Sequence, residues 1–85
     1  MGQYVGTFKG YQIYVSDAKN KKYYALVDGK KVNFGDNRYQ HYRDKMGYYS
    51  DLDHRNILRR KNYYSRHGKD AIKGSAKWFS HNILW

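Results

Sequence analysis

The stretch RNILRRKNYYSRHG, from Arg55 to Gly68, carries five cationic side chains, two adjacent tyrosines and a histidine before it ends at a glycine. On a helix, where successive residues turn by about 100°, Arg55, Arg59 and Arg66 fall into one stripe. Arginines presented in a row can each form bidentate contacts with phosphate. The stretch therefore predicts a surface that binds a phosphate backbone.

Neighbouring cations extend this predicted surface. Arg60 lies at its flank on the helical wheel, and four lysines continue the positive field. The full set of candidate nucleic-acid-binding residues is Arg55, Arg59, Arg60, Lys61, Arg66, Lys69, Lys73 and Lys77. Elsewhere on the wheel, Ile57, Leu58 and Tyr64 form the face that we expect to pack inward. The alternative interpretation is a solvated positive face that only keeps a small protein soluble.

The charge of the whole chain supports an acidic partner. The net charge is +10 over 85 residues, all seven acidic residues are aspartate, and most of the positive excess lies in the second half. Nucleic acid is the first candidate partner, with DNA favoured over RNA. The sequence contains no zinc-finger spacing and no aromatic RNA-recognition signature. We therefore expect binding that depends on phosphate charge and on salt, without base readout.

Metal and hydrolytic chemistry are also weighed, because four histidines occur among the aspartates. The segment SDLDH, from Ser50 to His54, groups two carboxylates and an imidazole. It lacks the spacing of familiar metal motifs and suits helix capping better. No serine has the setting of a nucleophile elbow. We therefore expect a non-enzymatic protein with no catalytic residue, no metal site and no cofactor.

Aromatic side chains supply the candidate protein-interface residues, Tyr48, Tyr49 and Trp85. Aromatic residues are enriched at interface hot spots, so these three could anchor the chain on another protein. The alternative is that Trp78 and Trp85 close the core, because the chain has 11 tyrosines and few large aliphatic side chains. Both interpretations hold if Trp85 is only half covered.

The expected fold class is α+β, in a single small domain spanning residues 1–85, with 1–10 as a candidate flexible segment. Alternation in YQIYVS predicts one strand, and KKYYALV and KKVNF predict two more, joined by a type I′ turn at Asp28 and Gly29. In that register Val27, Ala25 and Tyr23 pair with Lys30, Val32 and Phe34. The residues after this hairpin have no clear period and predict an irregular ordered loop.

Two helices are predicted after the loop. Ser50 or Asp53 would cap a helix from about Asp53 to His67, which Gly68 ends. Ser75 would cap a short second helix within SAKWFSHNILW. We therefore expect a three-stranded antiparallel meander packed against one longer and one short C-terminal helix.

Three features that are absent from the sequence limit the cellular compartments in which we expect the protein. It has no cysteine and no apolar run of the roughly 20 residues that a membrane span needs. Its N-terminus also lacks the apolar core of a signal peptide. We therefore expect a soluble protein that is not secreted and has no membrane partner, and the oligomeric state stays open.

Three segments, GKKVNFGDNRYQHYRDK, YSDLDHRNILRRKNYYSRHG and SAKWFSHNILW, together resemble a family of small uncharacterised basic proteins of large DNA viruses and tailed phages. The pattern is FGD, then RY, then RRxxYxxRH, and a closing WFSxxxLW element. It falls here on Phe34, Gly35, Asp36, Arg38, Tyr39, Arg59, Arg60, Tyr63, Arg66, His67, Trp78, Leu84 and Trp85. The resemblance covers about residues 22–85 and implies a viral origin, with no chemistry to transfer.

Charge and resemblance together give the leading hypothesis. It is a non-enzymatic, virus-encoded basic protein that binds nucleic-acid backbone without sequence specificity, in the virion, the host-cell cytoplasm or a viral replication compartment. The first alternative is a minor capsid or cement protein that uses Tyr48, Tyr49 and Trp85 against other virion proteins. The second is a host-takeover inhibitor of a cellular protein. Backbone binding weakens steeply as salt rises, which distinguishes it from an aromatic protein interface.

Overall fold

The computed structural model describes residues 3–85, which form a four-stranded antiparallel sheet followed by two helices. The strands are β1 (Tyr4–Phe8), β2 (Tyr11–Val15), β3 (Lys21–Val27) and β4 (Lys30–Asp36), in the sheet order β1-β2-β3-β4. A 3₁₀ turn spans Ser50–Leu52, α1 spans Ile57–His67, and α2 spans Ala76–Phe79 and continues into a π-helical turn over Ser80–Leu84. The predicted α+β class is confirmed.

The β3–β4 hairpin has the predicted register. Val27, Ala25 and Tyr23 pair with Lys30, Val32 and Phe34. The two turn residues, Asp28 and Gly29, have φ values of 51° and 79°, as a type I′ turn requires. Because strand residues alternate between faces, this register places Tyr23, Ala25 and Phe34 together in the core.

A fourth strand, β1, corrects the expectation of three strands. Tyr4–Phe8 pairs antiparallel with β2, and the register shifts between Tyr4 and Gly6. Gly6 has a φ of 144°, so the strand carries a bulge that breaks the alternation of its side chains. Most of the segment considered flexible is thus strand and turn, and residues 1 and 2 lie outside the described residues.

The core lies between the sheet and the C-terminal helical segment. Its buried residues are Ile13, Tyr23, Ala25, Phe34, Phe79, Ile83 and Leu84. Trp78 and Trp85 are half-buried against this cluster. Among residues 3–85, no helix combines the length and apolar character needed to cross a membrane.

Helix α1 begins later than predicted. Asn56 caps it, and its side-chain oxygen accepts hydrogen bonds from the amides of Leu58 and Arg59 at 3.0 and 3.2 Å. Asp53 cannot serve as the cap, because its carboxylate already accepts bonds from the His41 ring and the Asp44 amide. The predicted end is confirmed, since Gly68 has a φ of 75° and closes the helix.

Of the predicted inward face of α1, only Tyr64 is confirmed. Ile57 and Leu58 are 52% and 70% exposed, and no residue of the helix is fully buried. Tyr64 is half-buried as predicted, and its hydroxyl donates to the His81 carbonyl at 3.0 Å, while Tyr63, which was not predicted to face inward, is half-buried beside it. Tyrosine rings offer more contact area than Ile57 and Leu58, and their hydroxyls can also form hydrogen bonds. The tyrosines therefore determine the orientation of the helix over the core.

The irregular segment between β4 and α1 is held by a buried polar cluster. The His41 ring lies 2.5 Å from the carboxylate of Asp53, which also accepts the Asp44 amide at 2.8 Å. Asp44 in turn accepts bonds from the Tyr23 hydroxyl and from the amides of Met46 and Tyr49. Through these bonds, a segment without regular structure is fixed to β3.

Candidate functional site

An open cleft of about 1020 Å³ separates α1 from the end of β4 and the loop that follows it. Cationic residues of α1 line one wall, and Asp36, Tyr39 and Gln40 line the other. Tyr63 and Trp85 also line the cleft and are half-buried. The cleft therefore combines positive charge with aromatic surface.

The α1 wall presents Arg59 and Arg66 on the solvent side of the helix. Both side chains are exposed, and the sequence of α1, ILRRKNYYSRH, contains no acidic residue. The Arg59 guanidinium donates to the side-chain oxygen of Gln40 at 2.8 Å, across the mouth of the cleft. Since Gln40 is neutral, the charge of Arg59 stays uncompensated. Within residues 3–85, no ion pair occupies either arginine.

The opposite wall is a turn that presents Tyr39. The Tyr39 carbonyl accepts a hydrogen bond from the ammonium of Lys22 at 2.9 Å, and its amide donates to the Asp36 carbonyl at 3.2 Å. Lys22 is only 2% exposed, and burial lowers its pKa to about 8. The backbone of Tyr39 is thus held by hydrogen bonds although the residue is 64% exposed.

The one carboxylate on this wall, Asp36, is paired with Arg38. Its two oxygens accept bonds from Arg38 Nε at 3.0 Å and Nη2 at 2.7 Å. Hydrogen bonds from Arg38 also hold the pKa of Asp36 at about 2. A bidentate pair of this kind offsets the negative charge that would otherwise repel an anion in the cleft.

The floor of the cleft is formed by Ser80, Leu84 and Trp85 of the C-terminal segment, which hydrogen bonds join to α1. Arg60 Nε donates to the Trp85 carbonyl at 2.7 Å, and the Arg60 guanidinium lies over the rings of Tyr42 and Tyr64. His81 Nε2 donates to the Gly68 carbonyl at 2.8 Å, so its Nδ1 accepts the Tyr63 hydroxyl at 3.0 Å. Each contact fixes α1 without using Arg59 or Arg66.

Gly35 allows β4 to end close to this floor. Its φ is 75°, and a Cβ there would lie 2.8 Å from Leu84 Cδ1 and 3.1 Å from Lys22 Cβ. Only glycine fits both the backbone conformation and the space. β4 and the C-terminal segment therefore approach each other at a position that tolerates no side chain.

The structure separates the eight predicted phosphate ligands into groups. Arg59 and Arg66 line the cleft. A second groove of about 720 Å³ lies on the other flank of α1 and is lined by Arg60, Lys61 and Lys69. Arg60 also donates a hydrogen bond to the Trp85 carbonyl. Arg55 has a φ of 53° and precedes the helix, so it does not belong to the helical stripe. Lys73 precedes α2, Lys77 lies within it, and both are exposed.

The three candidate protein-interface residues differ in exposure. Tyr48 is 50% exposed. Tyr49 is half-buried, and its ring lies edge-on to Tyr23 with centroids 5.3 Å apart. Trp85 is half-buried and stacks on Tyr63. Two of the three thus contribute to internal packing.

Sequence reasoning missed the wall opposite α1. Lys22 gives no signal in the sequence, because its burial results from the loop that folds over β3. Tyr39 belongs to the RY element of the resemblance, but nothing in the sequence distinguishes an exposed tyrosine from the many that pack. Within residues 3–85, no group of three or more metal-ligating side chains is assembled.

Comparison of the chain with protein-family models, curated proteins and solved structures gave no match. Many of the residues that carry the sequence resemblance nevertheless line the cleft, from Gly35 and Asp36 on β4 through Arg59 and Arg66 on α1 to Trp85. The function is therefore argued from the cleft and its charges.

Proposed function

We propose that this protein binds the phosphate backbone of nucleic acids through α1, without reading base sequence and without catalysis. The observation that supports this most directly is the pair Arg59 and Arg66, exposed on one side of a helix that lacks acidic residues. Their guanidinium groups have no carboxylate partner within residues 3–85. They can therefore accept phosphate oxygens without first breaking an ion pair.

The structural role of Arg60 strengthens this assignment. Arg60 fastens α1 to the Trp85 carbonyl, whereas Arg59 has one neutral partner, Gln40. Arg59 and Arg66 both line the cleft, and both are exposed. Packing therefore does not account for Arg66. The net charge of +10 adds a long-range attraction to any polyanion.

Phosphate recognition of this kind has a defined thermodynamic signature. Each phosphate that an arginine or lysine neutralises releases counterions, so log K falls linearly with log salt concentration. No element of residues 3–85 has the form of a helix-turn-helix or zinc finger that would enter a groove to read bases. The sequence resemblance to viral proteins makes a viral genome the nucleic acid that such a protein would meet, and DNA the first candidate.

Fluorescence anisotropy with labelled random-sequence DNA and RNA tests the proposal. We expect binding near physiological salt that weakens steeply as salt rises from about 50 to about 200 mM, with the nucleic acid intact. Negligible binding throughout that range would overturn it. The alternative would then be a protein interface around Tyr48, which is the most exposed of the three aromatic candidates.

A further inference from the structure

We propose that the cleft beside α1 holds an unpaired strand, with a base stacked on Tyr39 and the adjacent phosphates on Arg59 and Arg66. This inference rests on the phosphate-binding function proposed above. It adds the class of nucleic acid, single-stranded, and a residue, Tyr39, that the charge argument does not reach.

Tyr39 has an exposed side chain on a backbone that hydrogen bonds fix. The residue is 64% exposed and its ring has the Arg38 guanidinium 5.6 Å from its centroid, while its carbonyl is held by the buried ammonium of Lys22 and its amide by the Asp36 carbonyl. An aromatic side chain ordinarily gains stability by burial, and most tyrosines of this chain are at least half-covered. A ring presented to solvent from a fixed backbone is prepared to stack on a ligand.

The two walls of the cleft suit the two parts of a nucleotide. Arg59 and Arg66 on α1 face the wall that carries Tyr39, and the Arg59 bond to Gln40 spans the opening. That bond is between exposed groups, so its net contribution is small and a phosphate can replace it. A strand in the cleft would place its phosphates against α1 and its bases toward Tyr39.

Charge inside the cleft does not oppose this arrangement. The Asp36 carboxylate is paired in bidentate fashion with Arg38, and the ammonium of Lys22 lies beneath the same wall. The volume of about 1020 Å³ is at the upper limit of ordinary ligand pockets, which leaves room for a base with its sugar and flanking phosphates.

The preference for unpaired strands follows from the availability of the bases. In a duplex the flat faces of the bases stack on each other, whereas a single strand can turn them toward an aromatic side chain. Phosphates are available to Arg59 and Arg66 in both forms. Tyr39 should therefore contribute to binding of single strands only, and the arginines to binding of both.

The test compares an oligothymidylate of about 12 nucleotides with a duplex of the same length, by fluorescence anisotropy at one moderate salt concentration. We expect tighter binding of the single strand by the wild type. Tyr39→Ala should weaken it about 5- to 100-fold and leave duplex binding unchanged. Tyr39→Phe should restore the preference. The control is Tyr48→Ala, which removes a tyrosine of similar exposure outside the cleft.

The outcomes separate the inference from the proposed function. If both nucleic acids bind with equal strength and Tyr39→Ala changes neither, the inference is overturned while phosphate binding stands. If neither binds, both fail. A second measurement on the wild type is ultraviolet cross-linking of the oligothymidylate followed by peptide mapping. A cross-link at Tyr39 supports the inference, and cross-links confined to residues outside the cleft contradict it.

Discussion

Tyr63 and Trp85 stack face to face, with ring centroids 4.3 Å apart and planes inclined by 6°. The ring of His67 lies 4.6 Å from that of Tyr63, and the ring of His54 lies 5.2 Å from that of Trp85, both tilted relative to their neighbours. The four rings form a continuous series of aromatic contacts. Since no residue of α1 is fully buried, these contacts help to hold the helix where its arginines line the cleft.

Removal of the tryptophan should loosen α1 more than the sheet. We expect Trp85→Ala to lower the free energy of unfolding by about 1–3 kcal/mol, since a half-buried ring loses packing and one stacked partner. Amide hydrogen exchange should accelerate in α1 more than in β3. Trp85→Phe keeps an aromatic face for Tyr63 and should retain most of the stability. Equal loss in both variants would contradict a stacking role.

Neutralising the two cleft arginines should change the salt dependence of binding. Arg59→Gln with Arg66→Gln removes two phosphate ligands, so the log–log slope should fall in magnitude by about 1.4–1.8. Anisotropy titrations at several salt concentrations measure this slope. The thermal midpoint should stay nearly unchanged, because both side chains are exposed.

The matched control for that experiment is Lys9→Gln with Lys30→Gln. It removes the same net charge from two exposed residues at the hairpin end of the sheet, opposite the end of β4 that borders the cleft. If this control lowers the slope as much as the arginine pair does, the binding depends on net charge and not on the cleft.

Arg60 should behave as a stability residue, unlike its neighbour in sequence. Arg60→Gln loses the bond to the Trp85 carbonyl and the contacts with the rings of Tyr42 and Tyr64. We expect a loss of about 1–2 kcal/mol in urea unfolding. Arg66→Gln is the reference and should stay within about 0.5 kcal/mol of the wild type. Indistinguishable stabilities would show that Arg60 does not fasten α1.

Local signals in the sequence were sufficient for much of the fold. The turn at Asp28 and Gly29 fixes the hairpin register, because a two-residue turn leaves only one pairing of the flanking residues. Gly68 ends α1, and Ser75 caps α2 by accepting the Trp78 amide at 3.2 Å. Each of these features depends on residues that are near one another in the chain.

Features that depend on distant contacts were not predictable. The predicted inward face of α1 was correct for Tyr64 and wrong for Ile57 and Leu58, because Tyr63 and Tyr64 find partners in the C-terminal segment and a helical wheel contains no information on partners. The sequence alone does not distinguish Arg60 from the other arginines of α1, because its bond to the Trp85 carbonyl joins residues 25 positions apart. The cleft itself needs Lys22 under Tyr39, a contact across 17 positions of the sequence.

Gly35 should resist substitution for two separable reasons. Gly35→Ala forces a Cβ to within 2.8 Å of Leu84 Cδ1 and also strains a φ of 75°. We expect a loss of about 2–4 kcal/mol in the free energy of unfolding. Gly29→Ala has a similar φ of 79° with open space around it, so it should cost only about 1–2 kcal/mol. Equal costs would show that the close approach to Leu84 does not matter.

Mild acid should destabilise the fold through histidines whose pKa is lowered by burial. Burial lowers the pKa of His41, with a further contribution from the Lys22 charge, and the carboxylates of Asp53 and Asp44 oppose this only in part. Burial also lowers the pKa of His54. When the folded pKa lies below the unfolded value of about 6.5, the unfolded chain takes up protons first as pH falls. Stability is then present above that pH and is lost below it.

Urea unfolding between about pH 7 and about pH 5 measures this loss as a falling midpoint. His41→Gln is the informative variant, because its amide can still donate to Asp53 but cannot titrate. It should flatten the dependence of the midpoint on pH even if it lowers stability at neutral pH. A wild-type midpoint that does not change with pH, or one that falls as steeply in His41→Gln, would contradict the argument that the folded protein keeps His41 uncharged at a pH where the unfolded chain protonates it.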